Sequence, residues 1–339
     1  MHDSPADVTI IVPVWNGLPL VERLLKSLRA QTHPAVEILI VDNGSEDGAP
    51  EAAARLGARV IRMGSNTGFA RAVNRGIQEC TTEWLAIINS DVELAPDWLE
   101  RLLESARLSG AWFATGKILS TPNPDRIDGT YDALCRGGCA WRVGQGRADD
   151  PEFSKPRDIW SAPGTAGLFR TELFRQIGLL DERFESYLED VEFGLRCACL
   201  NFKGRYVPGA VAYHQGSATL GRWHPGIVRK IARNQVLLVA KHYPRRLLFR
   251  FAWPILLSQS LWGLVALRHG ALLEFFMGKF EGLKGFRAAR HNAARLDIQP
   301  ERLGQILRDS EREICRVQRR TGFDWYWRVY FWLAAGGTD

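Results

Sequence analysis

The chain has 339 residues, 46% of them hydrophobic, ample for a real core and for two domains or one with an extension. Its six cysteines, Cys80, Cys135, Cys139, Cys197, Cys199 and Cys315, match neither zinc-site spacing nor a secreted disulfide framework, which excludes those two classes. The net charge of +6 is divided unevenly: residues 222–330 carry 21 Lys/Arg against 8 Asp/Glu, residues 1–221 carry 23 against 29.

In chain order, Met1–Pro5 shows no charged segment leading into an apolar one, so no signal peptide is expected and the protein should face the reducing cytoplasm. Val8–Trp15 is a β-branched apolar run, followed by helical spacing over Leu18–Ala30. Strands are predicted at Val36–Val41, Arg59–Met63 and Glu83–Asn89, with helices at Ala49–Leu56 and Gly68–Cys80 between them. Strands separated by helices of this length imply a parallel, doubly wound α/β sheet, whose ligands bind at the carboxyl ends of strands. Polar residues stand there: Asn16, then Asp42 and Asn43, then Asn66, then Asp91. Residues 137–158, rich in glycine and charge, are predicted to be a mobile loop. Trp160–Phe169 reads as a strand, Thr171–Ile177 and Glu189–Leu200 as helices, with Cys197 and Cys199 packed in the second, and Val211–His214 as a short strand.

After residue 225 the character changes. Phe251–Leu267 has no charge for seventeen residues and is bracketed by Arg250 and Arg268. At ~1.5 Å per residue it is slightly short of a ~30 Å hydrocarbon core, so a helical hairpin lying in one leaflet fits better than a span. Basic clusters at Lys241–Arg250 and Lys284–Arg290, with Trp325, Tyr326, Trp327, Tyr330, Phe331 and Trp332, suggest an anionic membrane surface as partner. Nucleic acid is not expected, because long apolar runs do not suit it. The predicted organisation is an α/β domain over 1–225, with halves near 1–110 and 111–225, and a basic helical region over 226–339.

Five segments can carry chemistry. Asp42, directly after a buried strand, can accept the imide N–H of uracil or thymine, and Gly44 lets the backbone pass close to a ligand, although Asp-Asn-Gly-Ser is also good turn chemistry. In Asn66–Gly76, small residues at a helix start let phosphate oxygens approach, and Arg71 would supply a fork of donors. In Asn89-Ser90-Asp91, the Asp91 carboxylate can hold Mg²⁺ or Mn²⁺ with phosphates completing the shell, or cap the next helix. One of Glu189 and Asp190 can be a general base, or both cap a helix. His214 can complete a metal site, though a lone histidine is more often structural. A nicotinamide oxidoreductase is excluded by Pro13-Val14-Trp15-Asn16-Gly17-Leu18, which lacks Gly-x-Gly-x-x-Gly.

The order of these segments resembles glycosyltransferase family 2, and in detail its bacterial rhamnosyltransferase-type members, over residues 8 to about 220. Asn66–Gly76, Gly164-Thr165-Ala166-Gly167-Leu168-Phe169-Arg170 and Leu188-Glu189-Asp190-Val191-Glu192-Phe193, running on to Arg196, carry the match. The resemblance implies a GT-A-type fold, Rossmann-like with a mostly parallel sheet, and an inverting transfer from a nucleotide-diphosphate sugar. It implies donor contacts at Pro13, Val14, Asn16, Asp42, Gly44, Asn66, Gly68, Arg71, Asn74 and Ser90. Asp91 and His214 then hold Mn²⁺ or Mg²⁺, Asp190 is the base, and Glu189 binds acceptor or sugar hydroxyls. Rhamnose from dTDP-rhamnose is the first choice of sugar. The basic, aromatic tail points to a polyprenyl-linked glycan acceptor at the cytoplasmic face of the inner membrane, as in cell-surface polysaccharide synthesis. A UDP-sugar transferase with a soluble acceptor and a non-catalytic nucleotide-sugar-binding scaffold are the alternatives. The family's metal motif is often Asp-x-Asp. Here Asn89 holds the first position, so one carboxylate is missing.

Overall fold

Val8–Val14 is β1, a strand whose uncharged β-branched residues suit burial on both faces. The computed structural model describes residues 8–216, 223–291 and 298–334. After β1 come α1 (Leu18–Arg29), β2 (Glu37–Asp42), α2 (Ala49–Arg55), β3 (Arg59–Arg62), α3 (Phe69–Glu79) and β4 (Trp84–Ile88). These four strands lie side by side in the order β3-β2-β1-β4, all parallel.

Beyond β4 the sheet is mixed, which corrects the expectation of a mostly parallel one. The next elements are β5 (Val92–Leu94), α4 (Trp98–Ser109), β6 (Phe113–Ser120), β7 (Asn123–Gly129), β8 (Asp132–Leu134), β9 (Ala140–Arg142), β10 (Arg157–Ile159), β11 (Ala166–Arg170), α5 (Thr171–Ile177), α6 (Glu189–Cys199) and β12 (Gly204–His214). β11 lies antiparallel to both β4 and β6. β12 is parallel to β6 and antiparallel to β5 and β10. Short connections of the kind joining β6 to β7 force antiparallel pairing, whereas a parallel pair needs a long crossover.

The predicted loop at 137–158 is largely structured, and residues 137–144 are buried or partly so. Its first glycines close the β8–β9 hairpin, and Ser258 Oγ and Gln259 Nε2 both donate to Gly137 O at 3.1 Å. Small residues there serve close packing rather than mobility.

The helical region consists of α7 (Pro225–His242), α8 (Arg245–Arg250), α9 (Ala252–Arg268), α10 (Leu272–His291), α11 (Pro300–Thr321) and α12 (Trp325–Ala334). Among the described residues no helix is long and apolar enough to cross a membrane. Several residues expected at a lipid surface are core instead. Lys241 Nζ lies 2.7 Å from both Asp181 and Glu192, and Tyr326, Trp327 and Tyr330 are buried. Trp332 is exposed. Glu311 forms a buried ion pair with Arg136 at 2.6 Å, and Arg316 and Arg320 converge on Glu152 at 2.6 and 2.7 Å. Charges from the two halves of the chain therefore pair, in both senses, across the interface between sheet and helices.

Candidate active site

The carboxyl ends of β1 and β2 are tied together by side chains. Asp42 is buried and its Oδ1 accepts the Ser45 N–H at 2.9 Å, which leaves Oδ2 4.0 Å from Arg62. Asn16 has φ 59; its N–H donates to Ser45 Oγ and its Oδ1 accepts the Glu46 N–H at 2.9 Å. Gly44 has φ 85, and a Cβ there would lie 2.8 Å from Ser65 Cα. Val14 is buried and Pro13 partly so. Asn43 accepts the Thr67 N–H at 2.8 Å and donates to Asn66 Oδ1 at 3.1 Å, so β2 and the turn before α3 form one unit.

The start of α3 departs from expectation. Its first N–H groups are occupied: Phe69 N–H donates to Ser186 Oγ at 3.2 Å and Ala70 N–H to Glu185 O at 2.8 Å. The small residue at Gly68 admits chain rather than phosphate, since a Cβ there would lie 3.0 Å from Glu185 O. Arg71 is half exposed and paired with Glu182 at 2.9 Å. Asn74, expected at the donor, is buried with both ends of its amide bonded to the Leu180 backbone. It anchors the segment ahead of α6.

That segment is strained. Glu185, Tyr187 and Leu188 all have left-handed φ, of 57°, 72° and 68°. Each such non-glycine residue costs of order 1–3 kcal/mol, and strain of this kind clusters at functional sites. It is held from α7. Asn234, fully buried, donates to Phe184 O, Ser186 O and Tyr187 O at 2.8, 3.0 and 2.7 Å. Arg233 binds Phe184 O and the Glu185 carboxylate.

Asp91 and His214 do meet. Backbone pairing sets them opposite each other: His214 registers with Val92, and the Gln215 N–H donates to Asp91 O. His214 Nε2 is 3.1 Å from Asp91 Oδ1, and Nδ1 is 2.8 Å from Asp128 Oδ2. Burial alone would lower the imidazole, but hydrogen bonds to Asp128 and Asp91 outweigh it and hold its pKa at about 9. Ser90 is half-buried between Asp91 and Asn89, whose Oδ1 is buried without a hydrogen-bond partner.

Arg142 joins this group to Glu189 and Asp190. Its guanidinium lies 3.5 Å from Asp132, 3.8 Å from Asp190 and 4.0 Å from Asp128, and donates to Thr165 Oγ1 at 3.0 Å. Asp190 opens α6; its Oδ2 accepts the Gly164 N–H at 2.9 Å and its Oδ1 its neighbour's at 2.8 Å. Glu189 is buried with Oε2 unpartnered, and burial and then Asp190 raise its pKa well above the carboxylate range. Burial, opposed by Arg142 and reinforced by Asp190 and Asp128, pushes Asp132 up to about 7. Burial and the nearby charges of Glu189 and Asp91 raise the Tyr187 phenol to about 12, so the two groups share one neighbour.

Of the five carboxyl groups here, Glu189 is held neutral and Asp132 partly so, which leaves Asp91, Asp128 and Asp190 facing two cations, Arg142 and His214. A surplus of buried negative charge calls for a counter-cation. The donor set fits a divalent ion: a carboxylate and an imidazole side by side, the imidazole carrying a carboxylate on its other nitrogen as metal-binding histidines do. Among the described residues no group of three or more side chains forms a closed metal cage. A metal held by these two residues would need its remaining ligands from a diphosphate or water.

The model of glycosyl transferase family 2 matches residues 9–178, half of the chain. This chain belongs to that family. An N-acetylglucosaminyl-diphospho-decaprenol L-rhamnosyltransferase from Mycobacterium tuberculosis is 30% identical over 241 residues, covering 64% of this chain and 78% of that protein. A pre-mycofactocin glycosyltransferase from the same organism is 28% identical over 223 residues, covering 65% and 45%. Among solved structures, GalNAc-T7 with UDP, GalNAc and Mn²⁺ superposes with a TM-score of 0.62 at 16% identity, over 95% of this chain and 59% of that one. A mannosyltransferase from Pyrobaculum calidifontis with GDP-Man and Mn²⁺ gives 0.53 at 17%, over 99% and 88%. These likenesses establish the GT-A-like α/β fold. The chemistry this family-2 glycosyltransferase performs is transfer of a sugar from a nucleotide-sugar donor.

Within this family-2 frame, Asp128, Asp132 and Arg142 were absent from the sequence-derived site. They sit on β7, β8 and β9, and Arg142 falls inside the stretch read as a mobile loop. Asp132 and Arg142 register directly opposite one another in the β8–β9 hairpin. Two short alternating runs flanking a glycine pair were the available signal.

Proposed function

We propose that this protein is an inverting, divalent-cation-dependent glycosyltransferase that moves rhamnose from dTDP-rhamnose to a hydroxyl of a lipid-linked glycan. The observation that carries the mechanism is Asp190, its carboxylate fixed by two backbone N–H groups and facing Arg142 across from the Asp91–His214–Asp128 group. Asp190 takes the proton of the acceptor hydroxyl. The acceptor oxygen forms its bond to the anomeric carbon as the bond to the diphosphate breaks, and the nucleoside diphosphate leaves with the electron pair. A base so positioned contributes roughly 10²–10⁴-fold. Asp91 and His214, the latter giving up its Nε2 proton, would hold Mn²⁺ or Mg²⁺, which would supply positive charge beside the leaving diphosphate. Asp42 Oδ2 accepts the imide N–H of the base. Glu189, kept neutral by burial, donates to a sugar or acceptor hydroxyl.

Rhamnose and the lipid-linked acceptor are supported by the name of the M. tuberculosis relative. Attachment at the cytoplasmic face of the membrane is supported by exposed apolar side chains on α8–α10, among them Phe249, Trp253, Leu256, Leu273 and Phe280, beside Arg245, Arg246, Lys284 and Arg287. The deciding experiment incubates the full chain and Mn²⁺ with dTDP-rhamnose or UDP-sugars and a polyprenyl-diphosphate N-acetylglucosamine, followed by mass spectrometry. A rhamnosylated lipid is expected; product from UDP-sugars alone would overturn the choice of sugar.

A further inference from the structure

α7, α9 and α10 enclose a groove of about 700 Å³ whose walls are almost wholly apolar. Leu256, Leu264, Phe276 and Leu283 line it and are each more than half exposed. A continuous apolar surface of this kind on a soluble face marks an interaction site. Lys279 is the one charged side chain among the described lining residues. Its Nζ donates to Gln235 Oε1 at 2.7 Å and to Gln259 Oε1, and lies 5.2 Å from the centre of the Phe275 ring. No carboxylate pairs with it among the described residues. Lys241, the comparable buried lysine on α7, has two, Asp181 and Glu192. Burying a cation without a counter-charge is unfavourable, and Lys279 is held in that state by neutral amide oxygens and a ring.

We propose that this groove binds a lipid phosphate, its isoprenoid chain along the apolar walls and its phosphate on Lys279. The inference rests on the lipid-linked acceptor proposed above and gives that acceptor's carrier a place. Apolar walls suit a branched hydrocarbon, and the missing counter-charge suits an anion that arrives with the ligand. A plain bilayer surface would cover the exposed rims but would bring no anion to a lysine inside the groove.

Farnesyl phosphate, farnesol and inorganic phosphate are titrated by calorimetry into the full chain saturated with nucleoside diphosphate, so that the donor site is filled. Farnesyl phosphate should bind at least about tenfold more tightly than either farnesol or phosphate, the margin of one charge-assisted contact. Lys279→Met should remove that margin and leave farnesol binding unchanged, while Leu264→Glu should weaken both isoprenoids. Thermal unfolding shows whether each variant is folded. Equal affinity for farnesyl phosphate and farnesol, or a Lys279→Met variant that binds farnesyl phosphate like wild type, would overturn the proposal. Binding of farnesyl phosphate by a protein that transfers no sugar keeps this inference and loses the activity proposed above; transfer without such binding does the reverse.

Discussion

The parallel half of the sheet and the helical region meet at the active site but use their polar residues in opposite ways. In the first, β1 to β4 deliver side chains to the strand ends in the order the chain visits them, and Asn16, Asp42 and Asp91 face a common edge as the topology requires. In the second, charges that look like a surface on paper are spent inward. Lys241 and His242 close on Glu192, Arg316 and Arg320 on Glu152, and Arg233 and Asn234 on the strained turn before Asp190. The net charge of a segment describes what it carries, not what it meets. A basic stretch following an acidic domain can be that domain's missing half.

The comparison breaks most visibly at Glu192, which is fully buried and bound to Arg196, Lys241 and His242. Glu192→Ala removes the one carboxylate shared by three buried basic groups, leaving Lys241 with Asp181 and Arg196 with backbone carbonyls, and should cost about 3–5 kcal/mol in urea unfolding. A loss under about 1 kcal/mol, as for an exposed pair, would mean that the helices are an independent module. Asp190→Asn should lower kcat by at least ~10²-fold while donor affinity stays within a few-fold. Turnover above about a tenth of wild type would show that Asp190 is not the base.

Asn234→Ala sharpens the claim that the helical region braces the catalytic turn. It removes the side-chain donor from Ser186 O and Tyr187 O, while Phe184 O keeps Arg233 and the Ser186 N–H, a loss worth roughly 1–3 kcal/mol. Transfer kcat should fall about tenfold with donor Kd unchanged, whereas uniform loss of donor binding would make the contact merely structural. The smallest effect is on acid stability. Burial favours the neutral form of Glu152, but hydrogen bonds from Arg316, Arg320 and Arg157 outweigh it and hold its pKa at about 2. A carboxylate lowered on folding stabilises the protein above its unfolded pKa and loses that contribution as pH falls towards the folded one. The gap in urea midpoint between wild type and Glu152→Gln should therefore be full at about pH 7 and shrink by about pH 3.

What could be read from sequence follows the range of the interaction. The parallel strands and the pairing of Asp91 with His214 were legible, the first from periodicity and the second from motif order. The occupied start of α3 was not, because its caps come from Glu185 and Ser186, more than a hundred positions away. Glycine and alanine at that position look the same whether they admit phosphate or chain. Arg142, Asp128 and Asp132 were missed because each pairs with groups on other strands, and the local sign of the β8–β9 hairpin, two short alternating runs around a glycine pair, reads as a loop. The lipid-facing expectation for Lys241 and Tyr330 failed for the same reason: amphipathic composition does not reveal which face finds a partner.

The ion pairs that cross from helices to sheet also set an order of events during synthesis. Glu152 and Arg320 are 168 residues apart, so at roughly 5–20 residues per second the carboxylate waits on the order of ten to thirty seconds for that guanidinium. The nascent amino-terminal part can close its parallel strands in that interval, but the turn before Asp190 has no Asn234 and Glu192 has no Lys241 until α7 has emerged. The turn before Asp190 is thus braced only once α7 has emerged, and a ribosome stalled before α7 holds a sheet with that turn unbraced.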